Sequence, residues 1–311
     1  MKILFLLFSF FSISISLSNM AQAKDLSVLT WNTFLIPPPF NSTKQEERAD
    51  LMAKKIRAVG HDVVFFQEAF IDSKRELIIK ELAPSYPYFA VPKKGQGLFQ
   101  FIGAGLFIVS KYPMKILDQV VFEDCSGTDC FASKSAIIVE ITLPDDKKIQ
   151  MVDTHLQGWD NVDVRKKQLL QIKEMMKNNA KLGISQVLVG DLNIDANVDF
   201  EYANSLALMN MTSAPLEGRL ASSNGFSTDD CFKTPGGINK GEWIDHMWLN
   251  RNGTETEIHS RKVVPIVGHL GSVECPLSDH YAVEALIEVK KVFNRALTKG
   301  RIPKVHKIAR S

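Results

Sequence analysis

Four strand-like runs follow one another through the middle of the chain with no helix between them: "GAGLFIVSKYP" (103–113), "KILDQVVF" (115–122), "SAIIVEITL" (135–143) and "KIQMVDTHL" (148–156). A parallel, doubly wound sheet needs a crossover helix after nearly every strand. Elsewhere strands and helices alternate. "DLSVLTWN" (25–32), "DVVFFQEAF" (62–70), "QVLVGDLN" (186–193), "EWIDHMWLN" (242–250) and "HYAVEALIEV" (280–289) read as strands, several so continuously apolar that both faces must be covered. Residues 44–59, 73–82, 163–180 and 199–209 read as helices, the first with its apolar face on Leu51, Met52, Ile56 and Val59. Two mixed sheets stacked face to face, with helices outside, accommodate this order.

The ends of the chain differ from its body. Residues 1–23, "MKILFLLFSFFSISISLSNMAQA", have a lysine, an apolar Ser-rich run and Ala-Gln-Ala, the pattern of a cleaved signal peptide. A secreted or periplasmic protein is therefore expected. Residues 24–289 carry no Pro/Gly-rich linker and are expected to form one domain. Residues 290–311 hold eight Lys and Arg and no acid; with these and Lys2 set aside, the net charge of +2 becomes −7 for the body. An acidic body argues against a stable nucleic-acid partner. The basic tail is expected to be a solvated end, or else a contact for an anionic surface. A monomer is the default state.

Four cysteines in an exported chain, Cys125, Cys130, Cys231 and Cys275, admit two disulfides in three pairings. Cys125 and Cys130 flank the turn-like "SGTD", which favours a local bridge. No second Cys/His pair lies close enough in sequence for a zinc site.

Polar residues recur where the strand-like runs end. Asn32 closes "LTWN", Glu68 closes "FFQE", His155 closes "VDTH", and "VGDLN" ends in Asp191 and Asn193. Asp245 lies in "WIDHMWL", and Asp279-His280 opens the last run. On a strand, Asp191 and Asn193 share a face. Alone each is ordinary loop chemistry; together they make a constellation. Oxygen donors such as Asn32, Glu68 and Asp279 suit a hard cation, Mg²⁺ by default or another divalent ion. Two histidines far apart in sequence suit acid–base work on either side of a phosphorus, with Asp245 fixing one imidazole's tautomer.

In this order, Asn32, Gln67-Glu68, Thr154-His155, Asp191-x-Asn193, Ile244-Asp245 and Ser278-Asp279-His280 resemble the motifs of the endonuclease/exonuclease/phosphatase superfamily, from about Leu26 to Val289. The resemblance implies an α/β fold, a four-layer α/β/β/α sandwich of two stacked mixed sheets of the deoxyribonuclease-like kind. It also implies metal-dependent hydrolysis of a phosphate ester. Within the superfamily, "CSGTDCFASKSAIIVEI" (125–141), "THLQG" (154–158) and "RKKQLLQI" (165–172) are similar to the secreted bacterial neutral sphingomyelinases. There the first stretch holds a short local disulfide. The implied substrate is a phospholipid at a membrane surface, cleaved to ceramide and phosphocholine. The implied roles are His280 as base, Asp245 as its partner, Asp191 and Asn193 placing water and a phosphoryl oxygen, and His155 serving the leaving oxygen. A nuclease, a phosphatase or phospholipase C acting on another headgroup, and a non-enzymatic binder on the same scaffold are the alternatives.

Two features depart from that family. Lys134-Ser135 stands where its members have Lys-Gly, and "VVPIVGHLGSVECPLSDH" (263–280) lacks the aromatic residues of their membrane-contacting hairpin. Phe99 and Phe101 are either a substitute for those aromatics or core residues.

Overall fold

The computed structural model describes residues 25–39, 43–95, 102–218, 221–223 and 241–290. The expected signal peptide, Phe99, Phe101, Cys231 and all of the basic tail but Lys290 lie outside these residues.

The first half of the chain runs β1 (Leu26–Asn32), α1 (Gln45–Val59), β2 (Val63–Gln67), α2 (Asp72–Leu82), β3 (Tyr88–Ala90), β4 (Phe107–Ser110), β5 (Met114–Val121), β6 (Ser135–Thr142) and β7 (Lys148–His155). The second half runs α3 (Val162–Asn179), β8 (Gln186–Asp191), α4 (Asp199–Met209), β9 (Thr212–Ser213), β10 (Leu216–Glu217), β11 (Asp245–Asn250), β12 (Glu257–Val264), β13 (Val267–Leu270), β14 (Val273–Pro276) and β15 (Ala282–Glu288). One sheet has seven strands in the order β10-β12-β15-β1-β2-β4-β3, the other six in the order β5-β6-β7-β8-β11-β9. The expected sandwich of two mixed sheets is the observed one. Three of the four helix-free runs, β5, β6 and β7, form an antiparallel meander, while β4 belongs to the other sheet. β12, the β13–β14 hairpin and three very short strands add to the elements expected from sequence.

Period-two alternation explains the apolar runs. In β1, Val28 faces the second sheet, while Leu29 and Trp31 face the helical layer of α1 and α2. In β8, Val187 and Val189 face inward, and Leu188 packs under α3 and α4. Every central strand is thus covered on both faces, which is why its sequence does not alternate cleanly.

α1 buries the expected Met52 and Ile56, with Leu51 partly buried, but the face is rotated so that Arg48, Ala49 and Ala53 join them and Val59 leaves it. Arg48, Ala49, Met52, Ala53 and Ile56 are buried, and Val59 is 53% exposed. Small Ala49 and Ala53 let the helix approach the sheet. Arg48 is admitted because its guanidinium donates to the carbonyls of Leu277 at 2.9 Å, Phe34 at 2.8 Å and Thr33, and to Thr43 Oγ1 at 2.8 Å. Cys125 and Cys130 are joined across a 3-10 turn, Gly127–Phe131. Cys275 is also disulfide-bonded. The segment without aromatics does form a hairpin, β13–β14, but it lies down on the protein: Gly271 N–H at its tip donates to Glu47 of α1 at 3.1 Å. Among the described residues, no helix is long and apolar enough to cross a membrane.

Candidate active site

The inward-facing rows of the core continue directly into the site. Val28 leads through Thr30 to Asn32, Val63 and Phe65 to Gln67, Met151 through Asp153 to His155, and Val189 to Asp191. β1 and β2 are parallel, as are β7 and β8, so these four C-terminal ends come to one edge of each sheet. β11 and β15 run antiparallel to their neighbours and bring their N-terminal ends, with Asp245 and His280, to the same place. Alternation hides one face in the core and then, where the strand runs out, places its last inward residue at the rim between the two sheets.

Beneath the site lies a polar layer that sequence reasoning missed. Thr30 Oγ1 donates to Gln67 Oε1 at 3.2 Å, and Gln67 Nε2 donates to Asp153 Oδ1 at 2.7 Å, linking the two sheets. Burial holds the Asp153 carboxyl well above the usual carboxylate range, against the pull of Gln67. The available signal was that Thr30, Gln67 and Asp153 are polar residues inside otherwise apolar runs.

His280 Nδ1 lies 2.8 Å from Asp245 Oδ2, whose oxygen also accepts from Ser222 Oγ at 2.7 Å. Trp31 Nε1–H donates to the His280 carbonyl at 3.0 Å, and Ser278 Oγ accepts the His280 N–H at 3.2 Å. The ring is therefore fixed on both its edge and its backbone. Burial alone would lower the His280 pKa; the charges of Asp245 and Asp191 outweigh it and hold the imidazole well above its usual value.

His155 and His280 aim their Nε2 atoms at one oxygen, Asp191 Oδ2, at 3.6 and 3.8 Å. His155 arrives from the six-stranded sheet, His280 from the loop entering the seven-stranded one, so the two imidazoles form opposing walls. Burial, then the Lys134 charge, push the His155 pKa down to about 3, so its ring is neutral. Lys134 is itself buried, donating to the Leu156 carbonyl at 2.6 Å and pairing with Asp129 at 2.9 Å. Asp129 also accepts the Gly158 N–H at 2.9 Å, which ties the disulfide-closed turn to the loop after His155.

Asn193 reaches the site by a route other than the expected one. The strand ends at Asp191, and Asn193 sits in the left-handed region at φ +51°. Its N–H donates to Asp191 Oδ1 at 3.0 Å and its amide to the Leu156 carbonyl at 3.1 Å. A local Asx turn, not strand alternation, brings the pair together.

Glu68 lies one residue past β2, with φ +54°. A left-handed glutamate is a strained conformation held by its surroundings. The Leu35 N–H donates to the Glu68 carbonyl at 3.0 Å, and Ala69 N–H to the Gly105 carbonyl at 2.8 Å. Gly105, φ +71°, approaches so closely that a Cβ there would lie 2.8 Å from the Phe70 ring and 3.2 Å from Glu68 Cα. Glu68 Oε1 is 3.8 Å from His155 Nε2, while its buried Oε2 has no hydrogen-bond partner. Burial and the charge of Asp279 push the Glu68 carboxyl up to about 8, and burial also raises Asp279. The nearby Arg48 guanidinium is spent on carbonyls and Thr43. These crowded, undercompensated oxygens fit a hard divalent cation. Glu68, His155 and Asp191 offer ligand atoms within 4.8 Å of one another; Asp279 is not part of that compact group and acts on it through charge. Asn32 donates to Asp191 Oδ2 at 2.9 Å, and its Oδ1 accepts the Phe34 N–H at 3.1 Å, so its amide braces the donors while keeping a free lone pair.

Two stacked sheets with a carboxylate-and-histidine site on their shared edge define a class, the phosphoester hydrolases built on an α/β sandwich of two mixed sheets. The sequence profile of the Endonuclease/Exonuclease/phosphatase family matches residues 29–280, and the chain belongs to that family. It is similar to sphingomyelinase C 2 of Leptospira interrogans, 27% identical over 209 residues, 60% of this chain but only 33% of that protein. It is also similar to a sphingomyelinase C of Bacillus cereus, 26% identical over 303 residues, 86% of this chain and 90% of that one. Its fold superposes on a Staphylococcus aureus beta toxin variant with bound magnesium ions at TM-score 0.70 and 22% identity, covering 84% of this chain and 99% of that one.

Proposed function

We propose that this chain is an exported, Mg²⁺-dependent phosphodiesterase that cleaves a choline-headgroup sphingolipid, sphingomyelin, to ceramide and phosphocholine. The names of its relatives support the substrate, and the magnesium of the beta toxin supports the ion. The leader-like residues 1–23 support export.

The names of its relatives carry the substrate class. The electrostatics agree with it: exposed Glu242 is raised by partial burial and by the charges of Asp195, Asp191 and Asp160, so acidic groups cluster on this side of Asp191. Such charge favours a cationic headgroup such as choline over a polynucleotide.

The residues divide the work as follows. His280 acts as base in its neutral form, which requires that the Asp191 charge raising its pKa be offset; the neutral ring then takes a proton at Nε2 from the attacking water, while Asp245 holds Nδ1 and stabilises the resulting imidazolium. Asp191 and Asn193 orient that water and a phosphoryl oxygen. The phosphorus–oxygen bond to the ceramide breaks on the far side, where neutral His155 donates a hydrogen bond to the departing oxygen. Glu68, with Asp191, Asn32 and Asp279 around it, would hold the cation. When bound, that cation supplies positive charge against the negative charge growing on the phosphoryl and leaving oxygens.

The deciding experiment compares phosphocholine release from sphingomyelin liposomes with nicking of plasmid DNA, both with Mg²⁺. Release without nicking is expected. Nicking without release would replace the reading with the nuclease alternative.

A further inference from the structure

Exposed apolar side chains gather at the edge that carries the site. β7 and β8 are parallel neighbours, and the chain leaves both at that edge, after His155 and Asp191, to enter α3 and α4. The segments leading into these helices carry Trp159 and Val162 on one side, Val198 and Phe200 on the other. Trp159 is 70% exposed and Phe200 82%, with Val162 and Val198 about half exposed. The two helix starts are fastened together. Arg165 of α3 makes a two-point pair with Glu201 of α4, at 2.7 and 2.9 Å.

The outward indole is held, not merely tolerated. Trp159 has φ +62°, a conformation that costs a non-glycine residue free energy. Its carbonyl accepts from the Asn161 N–H at 2.8 Å and from the Arg165 guanidinium, which lock the turn. The turn is continuous with the site. Gly158 N–H donates to Asp129 on one side, and the residue lies within 4 Å of the Asn193 amide on the other, measured from the position a Cβ would take.

We propose that Trp159, Val162, Val198 and Phe200 form the surface by which this chain docks on the lipid–water boundary of a zwitterionic phospholipid bilayer. The proposal rests on the lipid reading above, because a site that cleaves a bilayer phospholipid must turn its mouth to the membrane. Trp and Phe suit the interface, where an amphipathic ring sits at headgroup depth. The charges favour a neutral membrane. With Arg165 and Glu201 paired, and Lys167 paired with Asp124 at 2.7 Å, residues 159–167 expose Asp160, Asp163 and Lys166. An anionic bilayer calls for a basic patch, which residues 159–167 do not form. The β13–β14 hairpin cannot serve, since its tip is tied to α1 and bears no aromatic residue.

The chain carries its own probe. It has four tryptophans, and Trp31, Trp243 and Trp248 are buried, so Trp159 is the one exposed to a membrane quencher. The full chain carrying His280→Ala, which leaves lipid intact, is mixed with phosphatidylcholine–sphingomyelin vesicles containing brominated phosphatidylcholine. Tryptophan emission should shift to the blue and be quenched. Adding Trp159→Asn, which tolerates the left-handed backbone, and Phe200→Ser should weaken vesicle binding by about ten-fold or more. In the otherwise native chain the same pair should leave hydrolysis of soluble p-nitrophenyl phosphocholine within about two-fold while vesicle hydrolysis falls by the binding factor. Vesicle binding undiminished in the pair variant, binding without quenching, or binding only when anionic lipid is added would each overturn the proposal. Quenching and binding that depend on the pair, with no phosphocholine release by the native chain, would leave the docking surface standing and remove the substrate reading.

Discussion

His280 and Asp245 meet at 2.8 Å across the open edge of the sandwich, one from the loop before β15 and one from the first residue of β11. The two belong to different sheets, so their hydrogen bond exists only when the sheets are correctly stacked. Asp245→Asn should keep the fold and lose about 10²–10⁴-fold in kcat, because the amide's N–H group can impose the wrong tautomer. A circular dichroism melt beside the kinetics checks it. Activity within ten-fold of native would remove Asp245 from its positioning role.

Glu68→Gln should lower divalent-cation affinity by at least ten-fold and abolish turnover, and EDTA should silence the native chain. Calorimetric Mg²⁺ titration reads the affinity without relying on activity. The native chain should also gain thermal stability on binding Mg²⁺, since an ion that binds only the folded state stabilises it. An unchanged melting temperature at saturating Mg²⁺ would count against Glu68 as a ligand.

His155 and His280 should separate by leaving group. With sphingomyelin, either one changed to alanine should lose about 10²-fold or more. With p-nitrophenyl phosphocholine the departing oxygen needs little help, so His155→Ala should recover most of its activity and His280→Ala should not. Equal defects on both substrates would reject this division of roles.

His246 should make the fold acid-sensitive. Its Nε2–H donates to the Ile194 carbonyl at 2.7 Å and its Nδ1 accepts from Arg261 at 3.0 Å, so both nitrogens require the neutral ring. Burial and the Arg261 charge lower its pKa to about 3. The unfolded ring, near 6.5, binds a proton first as pH falls. The stability is thus full above about pH 6.5 and declines through the interval down to about 3, by about 1.4 kcal/mol per pH unit for this one group. His155, also lowered to about 3, adds to the same slope. Glu68, Asp153 and His280, whose pKa values are raised in the fold, pull the opposite way, so the test is a difference: between pH 7 and 5 the denaturant midpoint of the native chain should fall relative to that of His246→Gln by one proton's share. An identical slope in the variant would show that His246 is not the sensor.

Local pattern was enough to read most of the central strands, the four helices and the polar residues at strand ends, because apolar periodicity and turn residues are properties of short segments. The same alternation that buries Val28, Met151 and Val189 keeps Asn32, His155 and Asp191 on the inward face where the strands run out, so they meet between the sheets at one edge. What no segment encodes is which strand lies beside which. Stacking alone placed His280 against Asp245, linked Gln67 to Asp153 between the sheets, and put β4 in the sheet opposite its sequence neighbour β5. Backbone context decided the rest. Asn193 turns into the site through an Asx turn, Arg48 is buried because carbonyls from three loop residues meet it, and Trp159 points to solvent because Arg165 and Asn161 hold its carbonyl. Each of these depends on groups brought together by packing, and hydrogen bonds formed only in the folded chain leave no periodic trace in its sequence.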